Sequence, residues 1–511
     1  MRGRMAAYML LGGLLAFASM ATVASQGAPV AVPSPVAAVE VSGCETVGAS
    51  GKLLVQPVSP GGSPQGGLIV VDPANTREAN TIDLPPVSAA FATALPERAL
   101  AIAAGGLYLV DSAELTATPI PLGGEPAMDL KPNPVQFRGS AGRRYVLLGS
   151  PGFDRTFLID VEAGQATNLT ALMIPPTPDT TVSIPFAAVT PDDAHVVLWD
   201  GQHVYVVRTA NPEGARQIDT GAFAFAPDFS PDGTEVVYSR SSGPGSGSTL
   251  MLESVDDQRS VELISSEHAL VTLWVPESRT ILVDERTETG AAAGSVYLFD
   301  LDTGIETPLL DYTGSLSTVQ FHPDGTHALL GTEQMGATTW HLADLESGTI
   351  DELSQLEGSR VQPGLFADTR WALAIPPSEP TDLLAGPVYR GVDLETGMVG
   401  RLFEQPDNRR FVQPPILSPD GRLSLVTGET DSSMTLWLLD ASDLRATEIA
   451  SGSSMTALFA PDACHIATTH ETTIDGVPNA VSRIVPLSGN PPLEIEAGRA
   501  LAWTASPTPV G

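Results

Sequence analysis

One short stretch constrains this chain more than any other: Phe229 to Tyr238, FSPDGTEVVY. An apolar segment runs into Ser230-Pro231-Asp232-Gly233, and a second apolar segment leaves through Val236, Val237 and Tyr238. Proline presets the first corner of a type I turn, aspartate bonds its own backbone, and glycine takes the left-handed position that completes the reversal. The stretch is therefore a β-hairpin. It recurs as FHPDGTHALL from Phe321, LSPDGRLSLV from Leu417, VTPDDAHVVL from Val189 and FAPDACHIAT from Phe459.

A second pattern follows each hairpin. In SVYLFDLDTGIETPLL, from Ser295, an apolar strand ends at Asp300, and Gly304 closes a short acidic hairpin. DVEAG from Asp160, DLESG from Asp344 and DLETG from Asp393 repeat it. Each unit thus reads as strands a, b, c and d at a pitch of roughly 40 to 50 residues, which is the spacing of a propeller blade rather than a sandwich. Nine complete units begin near Ser88, Pro134, Ile184, Ala224, Ala269, Ser317, Val361, Val412 and Met455. Before them, residues 52–84 supply strands b, c and d alone; after them, ALAWTAS, with Leu501 and Trp503, supplies a lone strand a. Joined, the two ends make a tenth unit.

The expected fold class is all-β: a β-propeller of about ten four-stranded blades, closed by the C-terminal strand a beside the N-terminal strands b to d. Such a splice removes the exposed edges of the first and last sheets. The 48 glycines and 44 prolines suit many short strands joined by tight turns. Residues 1–25 carry Arg2 and Arg4, an apolar run from Met5 to Ala18 and small residues around Ser25, the layout of a cleaved signal peptide. Residues 26–50 read as a Pro/Ala-rich linker, 51–506 as the propeller and 507–511 as a C-terminal tail. The mature chain is expected to be an exported monomer, periplasmic, surface-bound or secreted, with no membrane span.

The SPDG turn, the apolar strand b and the strand c ending in D-L-x-T-G resemble the WD40-like propeller repeats of bacterial envelope proteins, the TolB type. The resemblance covers about residues 51–506 and implies a bacterial, exported propeller. TolB-type proteins also carry an N-terminal α/β domain for which this chain has no counterpart, so their partnership in the envelope is not carried over. The Trp-Asp dipeptide of eukaryotic repeats occurs only at Trp199-Asp200, at the end of a strand b.

Charge narrows the partners. The formal net charge is −34 and the only lysines are Lys52 and Lys131, so nothing is available to neutralise nucleic-acid phosphates. Cys44 and Cys464 are the only cysteines and, in an exported chain, are expected to pair across the seam where the ring closes. His195, His327 and His465 start strand b in three different units, where they cannot converge on one metal, and His322 sits in a turn. The acidic c–d hairpins lack the spacing of a calcium loop. Neither G-x-S-x-G, H-E-x-x-H nor a phosphate loop is present, and no cofactor is expected.

Trp274, Trp340, Trp437 and Trp503 are expected to pack between blades, an aromatic binding patch being the sharper alternative. The b–c loops vary most, at 59–67, 241–248, 286–294, 376–387 and 470–479. They share one face of the ring, so the chain is expected to be a non-catalytic binding or scaffolding propeller that holds an unknown protein or small ligand there. The alternative is a lactonase- or lyase-like enzyme with a metal in the central channel, for which inward Gln320, Gln362 and Gln413 are poor ligands.

Overall fold

The computed structural model describes residues 39–44 and 51–504, apart from short segments, of which the longest are 132–136, 139–143, 174–183, 288–292, 363–370, 376–387 and 405–409. All described residues belong to one compact unit, Pro33–Gly511. The expected signal peptide, residues 26–38 of the expected linker and the tail lie outside them.

The described strands form ten sheets, antiparallel and made from consecutive segments except in blade 1, which takes its first strand from the C-terminus, and blade 4, to which one short parallel strand is added. Blade 1 places Gly498–Thr504 beside Lys52–Pro57, Leu68–Val71 and Ala79–Ile82. Leu53 stands opposite Trp503 and Lys52 opposite Thr504, so the two ends of the chain complete one sheet. Ala269–Trp274, Thr280–Arg286, Ala293–Asp300 and Glu306–Thr313 form blade 6, the most regular copy.

The strands form because β-branched and large apolar residues repeat in short runs between turns, and the sheets stack because those runs are apolar on both faces. Leu54 and Leu68 of blade 1 pack on Ala99 and Val110 of blade 2. Leu282 and Leu298 of blade 6 meet Leu316 and Leu330 of blade 7. Leu53 and Trp503 of blade 1 meet Ala467 and Ile484 of blade 10, which brings the last sheet onto the first. Burying one such leucine is worth about 2 kcal/mol.

The hairpin turns work as the local chemistry dictates. Asp232 Oδ1 accepts from the Ser230 hydroxyl at 2.6 Å and from the Thr234 N–H at 3.0 Å, while the Gly233 N–H donates to the Ser230 carbonyl at 2.9 Å. Gly233, Gly325 and Gly421 take φ of 75°, 71° and 70°; where the repeat lacks glycine, Asp193, Glu277 and Ala463 adopt the left-handed region instead, at 60°, 53° and 58°.

Two expectations need correction, and a third, strand a of the unit near Pro134, falls largely on residues 132–136 and 139–143, outside the described residues. Around it, Lys131 and Gly149 form a bridge, and Phe137–Arg138 pairs in parallel with Phe186–Val189 of blade 4. Residues 470–479 are mostly strand rather than loop: His465–Ile474 and Val477–Pro486 run together until Ile474 faces Val477, and the Asp-Gly between them is a two-residue hairpin signal. Finally, residues 39–44 are docked, not a linker. The Val41 N–H donates to the Leu487 carbonyl at 2.8 Å, the Arg422 Nη1 donates to the Ser42 carbonyl at 2.6 Å, and Val39 and Val41 are buried against blades 9 and 10.

Candidate partner-docking site

Strand direction alternates within a blade, so a–b and c–d turns emerge on one face of the ring and b–c and d–a connections on the other. The a–b/c–d face is chemically closed. Asp300 Oδ1 accepts from the N–H groups of Asp302 and Thr303 and from the Thr303 hydroxyl, at 3.0, 2.8 and 2.9 Å. Asp344 and Asp160 repeat the arrangement. Hydrogen bonds from the turn N–H groups lower the pKa of Asp300 and Asp344, as the Ser230 hydroxyl does that of Asp232. These carboxylates are spent on their own turns. Cys44 and Cys464 are also on this face, joined by a disulfide with Cα atoms 5.4 Å apart.

The opposite face holds a cleft of about 640 Å³ at blade 6, lined by His268, Glu285, Ser295, Asp311, Tyr312 and Thr313 among others. Its walls come from the connection between blades 5 and 6, the base of the b–c hairpin, and the end of strand d. Each wall is braced. Ser248 Oγ donates to the His268 carbonyl and accepts from the Leu270 N–H, both at 2.8 Å, and Thr287 closes the hairpin base on Ala293 at 2.8 Å. Glu285, half-buried, accepts from the Ser266 hydroxyl.

On the other side of the blade 6 sheet, towards blade 7, lies a buried charged group. Asp284 is 2 % exposed and accepts from the Tyr312 hydroxyl at 2.5 Å, and Arg286 Nε pairs with its second oxygen. Burial pushes the Asp284 carboxyl up against the opposing pull of Arg286, and burial followed by the Asp284 charge pushes the Tyr312 phenol up. Arg286 reaches on to the Leu316 carbonyl of blade 7 at 3.2 Å. Gly294 makes the arrangement possible: a Cβ there would stand 2.5 Å from the Tyr312 ring. Tyr312 is thereby held on the blade 7 side of the sheet, whereas Glu285, Ser295 and Asp311 share the blade 5 side.

Sequence reasoning singled out 286–294 as a variable loop but missed Asp284, Tyr312 and His268. One signal was present. Counted from the turn, Asp284 occupies the position of Ser239, Gly331, Thr427 and Thr469, and it is the acid in that series.

The other candidates are dispersed or buried. His195 is buried, with Nε2 3.5 Å from Asp256, and burial lowers its pKa. His465 Nδ1 lies 3.1 Å from Asp462. His327 Nδ1 lies 2.8 Å from the Thr326 hydroxyl, and His322 pairs with Asp324 in its turn. Among the described residues no group of three or more His, Cys, Asp or Glu comes together. Trp274, Trp340, Trp437 and Trp503 are all buried. Gln413 lies outside the described residues, as do the side chain of Gln362 and the loop 376–387.

The strand pairing defines the class of protein: a β-propeller of ten blades with a spliced first blade. Solved structures similar to it are also propellers of several kinds. They include TolB from Acinetobacter baumannii (15% identity, 62% of this chain and 82% of that one, TM-score 0.27). An oligogalacturonate lyase from Vibrio parahaemolyticus is similar at 13% identity over 58% of this chain and 86% of that one, with a TM-score of 0.35. A eukaryotic initiation factor is similar at 14% identity over 89% of this chain and 99% of that one, with a TM-score of 0.45. No protein-family model matches the chain, and no curated protein matches it. Among the described residues no helix is long and apolar enough to cross a membrane.

Proposed function

We propose that this chain is an exported, non-catalytic binding propeller whose partner docks on the b–c/d–a face, with the blade 6 cleft as the seat. The observation that carries the reading is the contrast in polar chemistry: turn carboxylates on one face are consumed by backbone N–H groups, whereas Glu285 and Asp311 line an open cleft on the other. Export is supported by the layout of residues 1–25 and by the disulfide.

Photocrosslinking tests it. A photoreactive amino acid at Thr313 should yield crosslinked partner in the native extract, and one at Ser347, on the opposite face, should not. Crosslinks from Ser347 alone would place the partner elsewhere. Deleting 376–387 should leave the fold intact and weaken capture, since the sequence joins strand b at Ile375 to strand c at Val388 through these residues.

A further inference from the structure

The boundary between blades 9 and 10 is fastened differently at its two ends. On the a–b/c–d face residues 39–44 cross it as a strap. The Val41 N–H donates to the Leu487 carbonyl of blade 10, the Gly489 N–H to the Val39 carbonyl, and Arg422 Nη1 of blade 9 to the Ser42 carbonyl, at 2.8, 2.8 and 2.6 Å. The disulfide from Cys44 to Cys464 ties the strap down covalently. On the b–c/d–a face the chain itself crosses, from Gly452 at the end of blade 9 to Met455 at the start of blade 10, and His470 is packed under the crossing.

His470 stands opposite Met455 in the blade 10 ladder and is 2 % exposed. A Cβ on Gly452 would lie 3.4 Å from its Nδ1, so the imidazole is set against the end of blade 9. Nε2 lies 3.3 Å from the Thr468 hydroxyl, whereas Nδ1 is buried with no hydrogen-bond partner among the described residues. The charged groups that act on it belong to its own sheet: Arg483 and Glu494, which pair at 3.5 Å. Glu471, the next residue, points to the other side of that sheet and pairs with Arg499 of blade 1. Blade 9 brings Met434, Leu436 and Ala450 into one apolar cluster with Met455. Glu429 stands opposite Met434 in the blade 9 ladder, and its side chain lies outside the described residues.

A neutral imidazole suits this place and an imidazolium does not. Protonation makes both ring nitrogens donors. Nδ1–H would then be a buried donor on a cation, without an acceptor and near the positive Arg483, which is strongly unfavourable. Burial followed by the charge of Arg483 lowers the His470 pKa to about 4, with Glu494 opposing, in keeping with that geometry. Water relieves the imidazolium, and it is reached by parting the sheets at the end where His470 sits. At the other end the strap and its disulfide resist separation.

We propose that the blade 9–10 boundary is an acid-operated hinge: uptake of a proton by His470 parts the two sheets on the b–c/d–a face, while the disulfide-bonded strap of residues 39–44 holds them together on the opposite face. In acid the ring splays at this boundary without unfolding, and Leu436, Ala450 and Met455 become accessible. The closed form binds fewer protons than the open one, so closure is complete above about pH 6.5 and weakens about tenfold per pH unit as pH falls towards about 4. The hinge belongs to the ring itself and works whatever docks on that face.

Methionine oxidation by hydrogen peroxide, read by mass spectrometry, tests the hinge on the mature protein. Met455 is 3 % exposed at the boundary, Met173 is 7 % exposed between blades 3 and 4, and Met335, 100 % exposed, supplies the reference rate at each pH. Relative to Met335, the Met455 rate should rise about tenfold per pH unit between about pH 6 and 4.5. Met173 should stay unchanged, and the amides of Val41 and Cys44 should stay protected from hydrogen exchange. His470→Asn or His470→Gln, whichever matches the parent's rates at about pH 7.5 and is thereby shown to be folded, should lose the rise. A flat Met455 rate in the parent overturns the hinge. So does a rise shared by Met173 or accompanied by loss of the strap amides, because the boundary would then be melting rather than turning. A rise that survives in the His470 variant overturns the assignment of the proton to His470.

Discussion

The two faces of the ring are built from the same repeat and differ in what their polar groups do. On the a–b/c–d face each turn aspartate accepts from its own backbone, a disulfide joins Cys44 to Cys464, and residues 39–44 cross blades 9 and 10. On the b–c/d–a face, blade 6 keeps Asp284 buried and Glu285 and Asp311 at an open cleft, while blade 7 holds Met335 in water. Left-handed non-glycine residues occur on both faces, at Asp193, Glu277 and Ala463 as at Met335, and what sets the b–c/d–a face apart is the open cleft of blade 6. Divergence of that kind within a repeat protein marks the surface under functional constraint.

The difference can be broken or sharpened by mutation. The largest effect should come from the disulfide, which closes a loop with a sequence separation of 420 residues. Cys44→Ser should lower unfolding free energy by about 5 kcal/mol in the chain-entropy treatment, measured by urea denaturation, with reductant reproducing the loss in the parent protein. A loss below about 1 kcal/mol would mean that the docked segment holds the seam without it.

Next comes His470, at the blade 9–10 boundary near the opposite face. It is buried, and burial followed by the charge of Arg483 lowers its pKa to about 4, with Glu494 opposing. A histidine with a depressed folded pKa binds fewer protons when folded than when unfolded, so stability is full above the ordinary value and is lost as pH falls from about 6.5 to about 4. The loss should approach roughly 3 kcal/mol, and His470→Asn should remove that part of the slope. The turn aspartates have lowered pKa values and contribute stability that is present above the ordinary carboxylate range and lost only below it. Because burial also lowers the pKa of His195 on the a–b/c–d face, acid should loosen blade 4 at that face and the blade 9–10 boundary in the histidine range, and the aspartate turns only below it, which hydrogen exchange as a function of pH resolves.

Arg286→Leu leaves the Asp284 carboxylate without its cation. The arginine is partly solvated, so the expected loss is about 2 kcal/mol rather than the larger value for a fully buried pair. Because the Asp284 pKa is raised, the folded state takes up the extra proton, and the defect should shrink as pH falls towards the carboxylate range and grow as it rises. A pH-independent defect would mean that Asp284 is not the group left exposed to the loss. Smallest is Ala463→Gly on the turn face: Ala463 holds φ at 58°, and glycine should raise stability by about 0.5 kcal/mol in thermal unfolding.

The turns, the strand order and the splice were legible in the sequence because each rests on local chemistry repeated many times. Ser230, Asp232 and Gly233 interact within five residues of one another, and the copies of that turn together with the c–d hairpins set the pitch from which the blades are counted. What the sequence hid was non-local or exceptional. Tyr312 and Asp284 are 28 residues apart and meet only because strands b and d fall on either side of strand c. The docked segment at 39–44 carries no periodic signal, and its partners Leu487 and Arg422 lie hundreds of residues away. The exposure of Met335 and its left-handed backbone carry no sequence signal.

Everything functional depends on the ring being closed by the last strand. Hydrogen exchange followed by mass spectrometry on the parent chain and on one ending at residue 497 tests this directly. The amides of residues 498–504 should be protected for hours in the parent, and truncation should release those of 52–57, the strand they pair with. Rapid exchange at 498–504, with 52–57 indifferent to truncation, would contradict the closed ring.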